Sequence, residues 1–128
     1  MSLGTSAVSG NLAQCNVFSA TIVNKTSDQI HCFVEYHTKS GSDNEVVDFD
    51  VTANDEYKCE EKVHSMSTHN TGQSPQSHVF PKVIHSIKIC KADGSTLTAK
   101  APFDNVPHKD VRNWKFVVEN NQIRSEKN

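Results

Sequence analysis

Glycine, proline and tryptophan are scarce in this chain of 128 residues, which has five, four and one of them, respectively. Long apolar runs are missing: no stretch approaches the roughly 18 apolar residues that a transmembrane helix requires. No segment of helical length repeats its apolar side chains with a period of about 3.6 residues. These absences exclude a membrane-spanning helix, a Gly-rich phosphate-binding loop and an all-helical fold.

The chain also has no large excess of either charge. Thirteen Lys and Arg residues stand against fifteen Asp and Glu residues, and the formal net charge is -2. This balance excludes a strong general attraction to nucleic acid. Acidic residues are concentrated in residues 1–78 and basic residues in 79–128. In a small domain the two halves interleave, so we expect them to neutralise each other.

The start of the chain shows no secretory signal, because it has neither a charged segment nor an apolar segment after it. Ser, Gly and Thr are common there, and they predict a flexible lead over residues 1–13. We expect a cytoplasmic protein, chiefly because the cysteines discussed below are interpreted as reduced thiols. A secreted protein whose signal has been removed is the alternative.

The dominant positive signal is the alternation of apolar and polar residues, rich in β-branched side chains, that is typical of half-buried strands. About seven short runs of this kind, separated by polar turns, predict a single all-β domain over residues 14–120. We interpret it as an antiparallel β-sandwich, with a partly open β-barrel as the alternative. Residues 121–128 are predicted to fray.

The run IHCFVEYH, residues 30–37, alternates most clearly. The side chains predicted to face the core are those of Ile30, Cys32, Val34 and Tyr36. Those predicted to face outward are His31, Phe33, Glu35 and His37. By the same parity, the inward side chains of two later runs are Val47, Phe49, Val51, Trp114, Phe116 and Val118.

Polar segments between the runs predict the turns. We expect the first two strands to pair around residues 24–29, and the next turn to place Val34 opposite Val47. Asp93-Gly94 predicts a β-hairpin. Residues 65–77 lack periodicity and are rich in Ser, Thr and Asn, so they are predicted to form one long surface loop.

Four cysteines raise the question of disulfides: Cys15, Cys32, Cys59 and Cys90. In the expected hairpin, Cys15 and Cys32 are roughly 20 Å apart, far beyond the about 7 Å that a disulfide tolerates between Cα atoms. Cys32 and Cys59 are expected two strand spacings apart, roughly 10 Å. Only a bridge between the two sheets, for instance from Cys15 or Cys32 to Cys90, is left open. Trp114 follows all four cysteines, so the immunoglobulin Cys-Trp-Cys order is missing, and we favour reduced, structural thiols.

Asn24-Lys25-Thr26 is a glycosylation triplet in a predicted surface turn. It would matter only in a secreted chain, where Asn24 would carry the glycan.

Seven histidines are many for this length. His64 and His78 flank the predicted loop and His69 lies within it. Three imidazoles brought together could bind zinc or a similar metal. No His-x-His or Cys-x-x-Cys spacing prepares such a site, so we expect loop histidines in solvent and no cofactor. His85 shares the parity of Ile87 and Ile89 and is predicted to be a hydrogen-bonded core histidine.

An acidic run from Asp43 to Glu61 covers one predicted hairpin and its turns. It lacks a calcium-binding loop pattern, so we expect a solvated edge strand that its charge protects from aggregation. Asp48 and Asp50 repel each other unless Lys58 or Lys62 lies across from them.

No catalytic motif is present, and the aromatic residues lie mainly at core parity, so no stacking platform for sugars or bases is predicted. We interpret the chain as a non-catalytic binding or interaction module that recognises an unknown protein or small ligand through loops at the sandwich ends. One alternative is a secreted or cell-surface glycan-binding domain. Another is a small metal-dependent enzyme that uses the loop histidines.

Overall fold

The structure is a computed structural model that describes residues 16–38, 41, 43–68 and 76–128. Every regular element in these ranges is a β-strand. The same ranges hold no helix with the length and hydrophobicity needed to cross a membrane.

Twelve strands follow one another along the described chain. They are β1 (Asn16–Val17), β2 (Ala20–Asn24), β3 (Ile30–His37), β4 (Glu45–Val51), β5 (Glu56–Cys59), β6 (Val63–Thr68), β7 (Gln76–Pro81), β8 (Val83–Cys90), β9 (Thr96–Lys100), β10 (Asp110–Val111), β11 (Trp114–Val118) and β12 (Ile123–Glu126).

Eight of these strands form two four-stranded sheets, one with the order β4-β3-β8-β9 and the other with the order β12-β11-β2-β5. The first sheet is antiparallel throughout. The pairs β1-β10 and β6-β7 add two short ribbons. The fold is therefore all-β, with separate sheets and no closed barrel in the described ranges, which agrees with the predicted β-sandwich.

One hydrophobic core joins the inner faces of the two sheets. Its members from the first sheet include Ile30, Cys32, Val34, Tyr36, Ile87 and Ile89, and those from the second include Ala20, Ile22, Cys59, Trp114, Phe116 and Val118. Val47 and Phe49 of β4 pack against this core, and Val51 is buried within it. The alternation predicted for β3, β4 and β11 is thus confirmed.

The predicted hairpin between the first two strands is wrong. β2 lies in the second sheet, between β11 and β5, whereas β3 lies in the first. Asn24 is the neighbour of Val118 in a parallel pair, so the polar segment after β2 crosses between the sheets. Two strands adjacent in sequence pair in most folds, but nothing local requires it.

Two other turn predictions are confirmed. Val34 lies opposite Val47 in the β3-β4 pair. β8 and β9 form a hairpin whose turn is closed by Asp93, because its Oδ1 accepts hydrogen bonds from the backbone N–H and the hydroxyl of Ser95. Gly94 has φ +89°, a left-handed conformation that glycine adopts without steric cost.

Part of the loop predicted for residues 65–77 is wrong, because residues 65–68 and 76–77 lie in strands. β6 and β7 pair in register from Val63 opposite Pro81 to Thr68 opposite Gln76, which leaves residues 69–75 outside the described ranges. The tail predicted to fray also contains a strand, since β12 pairs with β11 from Ile123 to Glu126. Both segments are rich in polar residues and lack the alternation that predicts a strand, but pairing with a neighbouring strand stabilises them.

Asn24 ties the two sheets together at one end of the sandwich. Its side chain is fully buried, and its Nδ2 donates to the backbone carbonyls of Asp28, Val51 and Thr52 at 2.9–3.2 Å. Its Oδ1 accepts from the backbone N–H and the hydroxyl of Thr26. The amide of the glycosylation triplet therefore points into the fold, where its oxygen and its nitrogen are both hydrogen-bonded within the chain.

Three cysteines are described, and all three are free thiols. Cys32 and Cys59 lie in the core, where burial raises the pKa of each thiol to about 12. Cys90 is half-buried on β8 and points away from the core. Cys32 and Cys90 thus face opposite sides of one sheet, which excludes the bridge between them that the sequence left open. Cys15 lies outside the described residues.

Replacing Asn24 tests its role as a cross-sheet link. Asn24→Ala removes the amide donor shared by three backbone carbonyls and the acceptor of the Thr26 N–H. The Thr52 and Asp28 carbonyls each keep one other donor, but the buried link between the sheets is lost, so we expect a loss of about 3 kcal/mol in the free energy of unfolding. Urea unfolding measures the loss. Asn121→Ala, at an exposed position, is the control and should change stability by less than about 0.5 kcal/mol. A loss below about 1 kcal/mol for Asn24→Ala contradicts the proposed link.

The thiols give a second prediction. In the native protein, iodoacetamide should modify Cys90 while leaving Cys32 and Cys59 intact, since a buried thiol with a raised pKa supplies almost no thiolate. Mass mapping of the labelled peptides reads out each site separately. In denaturant all three should react at similar rates. Rapid native modification of Cys32 or Cys59 would show that the core is open.

Candidate binding face on the first sheet

The first sheet turns one side toward the core and the other toward solvent. We define the outer face by the side chains that point away from the core: Val46, Asp48 and Asp50 of β4; His31, Phe33, Glu35 and His37 of β3; Ser86, Lys88 and Cys90 of β8; and Thr96, Thr98 and Lys100 of β9. The strand registers arrange most of them in rows that cross all four strands.

At one end of the face, His31 lies between two carboxylates. Its Nδ1 is 2.6 Å from Asp50 Oδ1, and its Nε2 is 2.9 Å from Asp48 Oδ2. The hydrogen bond to Asp50 is the main reason that the pKa of His31 is raised above 6.5. Only an imidazolium can donate from both nitrogens, so this geometry favours the charged ring. His31, and neither Lys58 nor Lys62, offsets the repulsion between the aspartates.

At the other end, the Glu35 carboxylate forms hydrogen bonds with two neighbouring side chains. His37 Nε2 lies 2.7 Å from Glu35 Oε2, and the Ser86 hydroxyl donates to Oε1 at 3.1 Å. The bond to His37 is the largest cause of the lowered pKa of Glu35. The ring of His37 also stacks on His85, with centroids 4.0 Å apart and planes 10° from parallel. Each of these groups is held in place by another side chain.

His85 reaches this position through a β-bulge. Glu35 pairs with Ser86 and Tyr36 pairs with Ile84, so β8 has one extra residue at this point. The bulge reverses the parity of β8, because Ile84 is buried on one side of it and Ile87 on the other. The prediction of a core histidine is therefore wrong: His85 is half-buried.

Phe33 occupies the middle of the face. The His31 and Phe33 rings form a T-shaped pair, with centroids 4.8 Å apart, and Lys88 Nζ lies over the Phe33 ring, 5.9 Å from its centroid. A shallow hollow of about 370 Å³, here called the Phe33 depression, is lined by Phe33, Glu35, Val46, Ser86, Lys88, Thr98 and Lys100. Sequence parity predicted that Phe33 faces outward, and the strand registers place it at the centre of the face.

Lys88 and Lys100 are the two lysines that line the depression. Lys88 lies opposite Thr98, and Ser86 lies opposite Lys100, so the two lysines are diagonal neighbours with Cβ atoms roughly 7 Å apart. Neither forms an ion pair with any residue in the described ranges. The acids of the same face are already engaged by His31, His37 or Ser86.

Of the three candidate metal ligands, His64, His69 and His78, only His64 has a described side chain. His64 Nδ1 lies 2.5 Å from Asp43 Oδ2, and the buried Lys82 ammonium lies 3.2 Å from the same oxygen. The bond to His64 is the largest cause of the lowered pKa of Asp43. A cation at this carboxylate would meet the ammonium. The His78 side chain and all of His69 lie outside the described structure, so the three-histidine metal site stays a prediction.

No described group of three or more His, Cys, Asp or Glu residues is arranged to hold a metal ion. A larger cleft, of about 540 Å³, lies between residues 105–114 and residues 127–128. Its arginine, Arg112, is engaged by Glu61 at 2.9 Å and lies over the Phe18 ring. Size favours this cleft, and its Lys109 and Lys127 also form no ion pair in the described ranges. We favour the Phe33 depression because paired strands hold most of its lining and place its two lysines side by side.

Comparison with known proteins adds no assignment: no protein-family model, curated protein or solved structure matches the chain.

The hydrogen bonds of His31 to Asp48 and Asp50 predict that the stability of the protein depends on pH. The pKa of His31 is raised in the folded protein. The charged ring therefore adds its full contribution to the free energy of unfolding below the unfolded pKa, near 6.5, and this contribution is lost as pH rises through the folded pKa. The difference in unfolding free energy between the wild type and His31→Gln should therefore be larger at pH 6 than at pH 9. Urea unfolding at both pH values measures it. Equal differences at the two pH values would contradict a stabilising role for the charged His31 ring.

Proposed function

We propose that this protein is a non-catalytic binding module that holds its ligand over the Phe33 depression. The observation that carries the proposal is the pair Lys88 and Lys100, two ammonium groups without an acidic partner in the described chain, beside an aromatic ring and two hydroxyls. Convergent polar groups around an apolar floor are the usual composition of a ligand site. The proposal locates recognition on a sheet face, whereas the sequence favoured loops at the sandwich ends.

The contacts on the outer face support binding over catalysis. The Ser86 hydroxyl donates to Glu35, so no histidine stands ready to remove its proton. Cys90 lies opposite His31 in the β3-β8 pair, but both nitrogens of that ring are bound to aspartates. Neither nucleophile therefore has the free base that acyl or phosphoryl transfer requires.

The charges of the face define the ligand's chemistry. Lys88 and Lys100 favour an anionic group above β8 and β9, and Phe33 and Val46 favour an apolar or ring-shaped portion next to it. Asp48 and Asp50 of β4 bound the depression on its other side, with His31 as their only partner on the face. This acidic border, with the net charge of -2, argues against a nucleic-acid strand laid across the sheet.

The thiols support a reducing compartment, in keeping with the cytoplasmic location that we propose. Cys32, Cys59 and Cys90 are all free in the structure, and cytoplasmic proteins keep their thiols reduced. The internal use of the Asn24 amide also gives that residue a function that needs no glycan. Counting thiols in the denatured, unreduced protein tests the location, because a secreted form is expected to contain disulfides.

Anionic probes test the binding proposal. Three can be compared by thermal shift: an acidic hexasaccharide, an acidic hexapeptide and an aromatic sulfonate. At 100 times its dissociation constant a ligand adds about 2.7 kcal/mol of stability, which corresponds to a rise of several degrees in Tm. We expect at least one probe to raise the Tm of the wild type, and Lys88→Gln/Lys100→Gln to abolish the rise.

The matched control is Lys25→Gln/Lys58→Gln, which removes the same charge from two exposed lysines elsewhere. It should respond as the wild type does. The proposal fails if no anionic probe stabilises the wild type, or if both double variants respond alike.

A further inference from the structure

The position of the Phe33 depression limits how a ligand can be recognised. It lies over β3 and β8, the two central strands, each of which pairs with a neighbour on both sides. Their backbone N–H and C=O groups are therefore used within the sheet. A peptide cannot add itself here as a further strand, which is the usual way for sheets to bind extended peptides. Recognition at this site must come from side chains.

The side chains of the depression match a sugar ring better than a peptide. Phe33 offers an aromatic surface for the apolar C–H face of a pyranose once the Lys88 ammonium, which lies over the ring at 5.9 Å from its centroid, turns to the anionic group of the ligand. Around it, the Glu35 carboxylate accepts hydrogen bonds, and the Ser86 and Thr98 hydroxyls both donate and accept. Glu35 keeps lone pairs for a ligand, because each of its oxygens receives a single hydrogen bond in the described structure.

The two lysines add a charge requirement. A neutral sugar would leave both ammonium groups without a counter-charge, whereas a carboxylate or sulfate substituent would lie between them. The acidic border at Asp48 and Asp50 sets the direction: the sugar's anionic group must point toward β9, away from β4. Charge complementarity therefore selects both the class of ligand and its orientation.

We infer that the Phe33 depression binds an acidic saccharide, with the sugar ring over Phe33 and its carboxylate or sulfate held by Lys88 and Lys100. The inference rests on the binding module proposed above and names its ligand class. An acidic peptide is the competing occupant. It would use the same lysines but would have no need of the aromatic ring.

Isothermal titration of the full chain separates these occupants. The probes are a hyaluronan hexasaccharide, which is acidic, a chitin hexasaccharide, which is neutral, and a hexaglutamate peptide. We expect hyaluronan to bind the wild type at least tenfold more tightly than either other probe. Lys88→Gln/Lys100→Gln should weaken that binding at least tenfold, and Lys25→Gln/Lys58→Gln should change it by less than twofold.

Phe33→Leu tests the ring separately, since leucine keeps apolar bulk but loses the aromatic face. It should weaken hyaluronan binding about fivefold or more, with unchanged circular dichroism as the check on folding. If hexaglutamate binds through the two lysines and hyaluronan does not, the binding module stands and the saccharide assignment is overturned. Equal binding of hyaluronan to wild type and Phe33→Leu also overturns it. If no anionic probe binds, both proposals fail.

Discussion

The two-sided character of β3 is the constraint on which the rest of the structure depends. This strand is central in its sheet, and its residues alternate without interruption between the core and the outer face. The inward residues, Ile30, Cys32, Val34 and Tyr36, are almost completely buried. A shift of one residue in register would exchange the two sets. Burial of the inner set therefore fixes His31, Phe33, Glu35 and His37 on the side that meets solvent.

The outer face combines residues with two different tasks. Most of its charged groups are already paired: Asp48 and Asp50 with His31, and Glu35 with His37. These pairs hold the rings and carboxylates in defined positions, and they are exposed enough that their contribution to stability is modest. Lys88 and Lys100 are different, since neither has an acidic partner in the described chain. The same sheet thus provides a fixed polar frame and two charges available to a ligand.

Local patterns predicted the parts of the fold that local chemistry decides. Alternation assigned the faces of β3, β4 and β11, and the Asp93-Gly94 turn gave the β8-β9 hairpin. Pairing between distant segments left no such signal. The parallel neighbours β2 and β11, for example, join residues about ninety positions apart, such as Ala20 and Trp114. The sequence therefore predicted a sandwich but gave the wrong partner for β2.

The candidate site was predictable only in fragments. Parity placed His31, Phe33 and His37 outward, but the registers that bring Lys88 and Lys100 beside Phe33 depend on two strand pairings. The bulge at His85 is invisible in the sequence, because one inserted residue alters the parity without changing the composition. The buried position of Asn24 was unpredictable for a related reason: the triplet looks like a surface turn, and the meeting of β2 with the end of β4 supplies the Val51 and Thr52 carbonyls for its amide.

Mapping backbone amide shifts by NMR during a titration with the hyaluronan hexasaccharide tests the central claim most directly. If the outer face of the first sheet is the ligand surface, the largest shifts will lie at the centres of β3, β8 and β9, around Phe33, Lys88 and Thr98. Shifts concentrated instead in the loops at the ends of the sandwich would contradict the account.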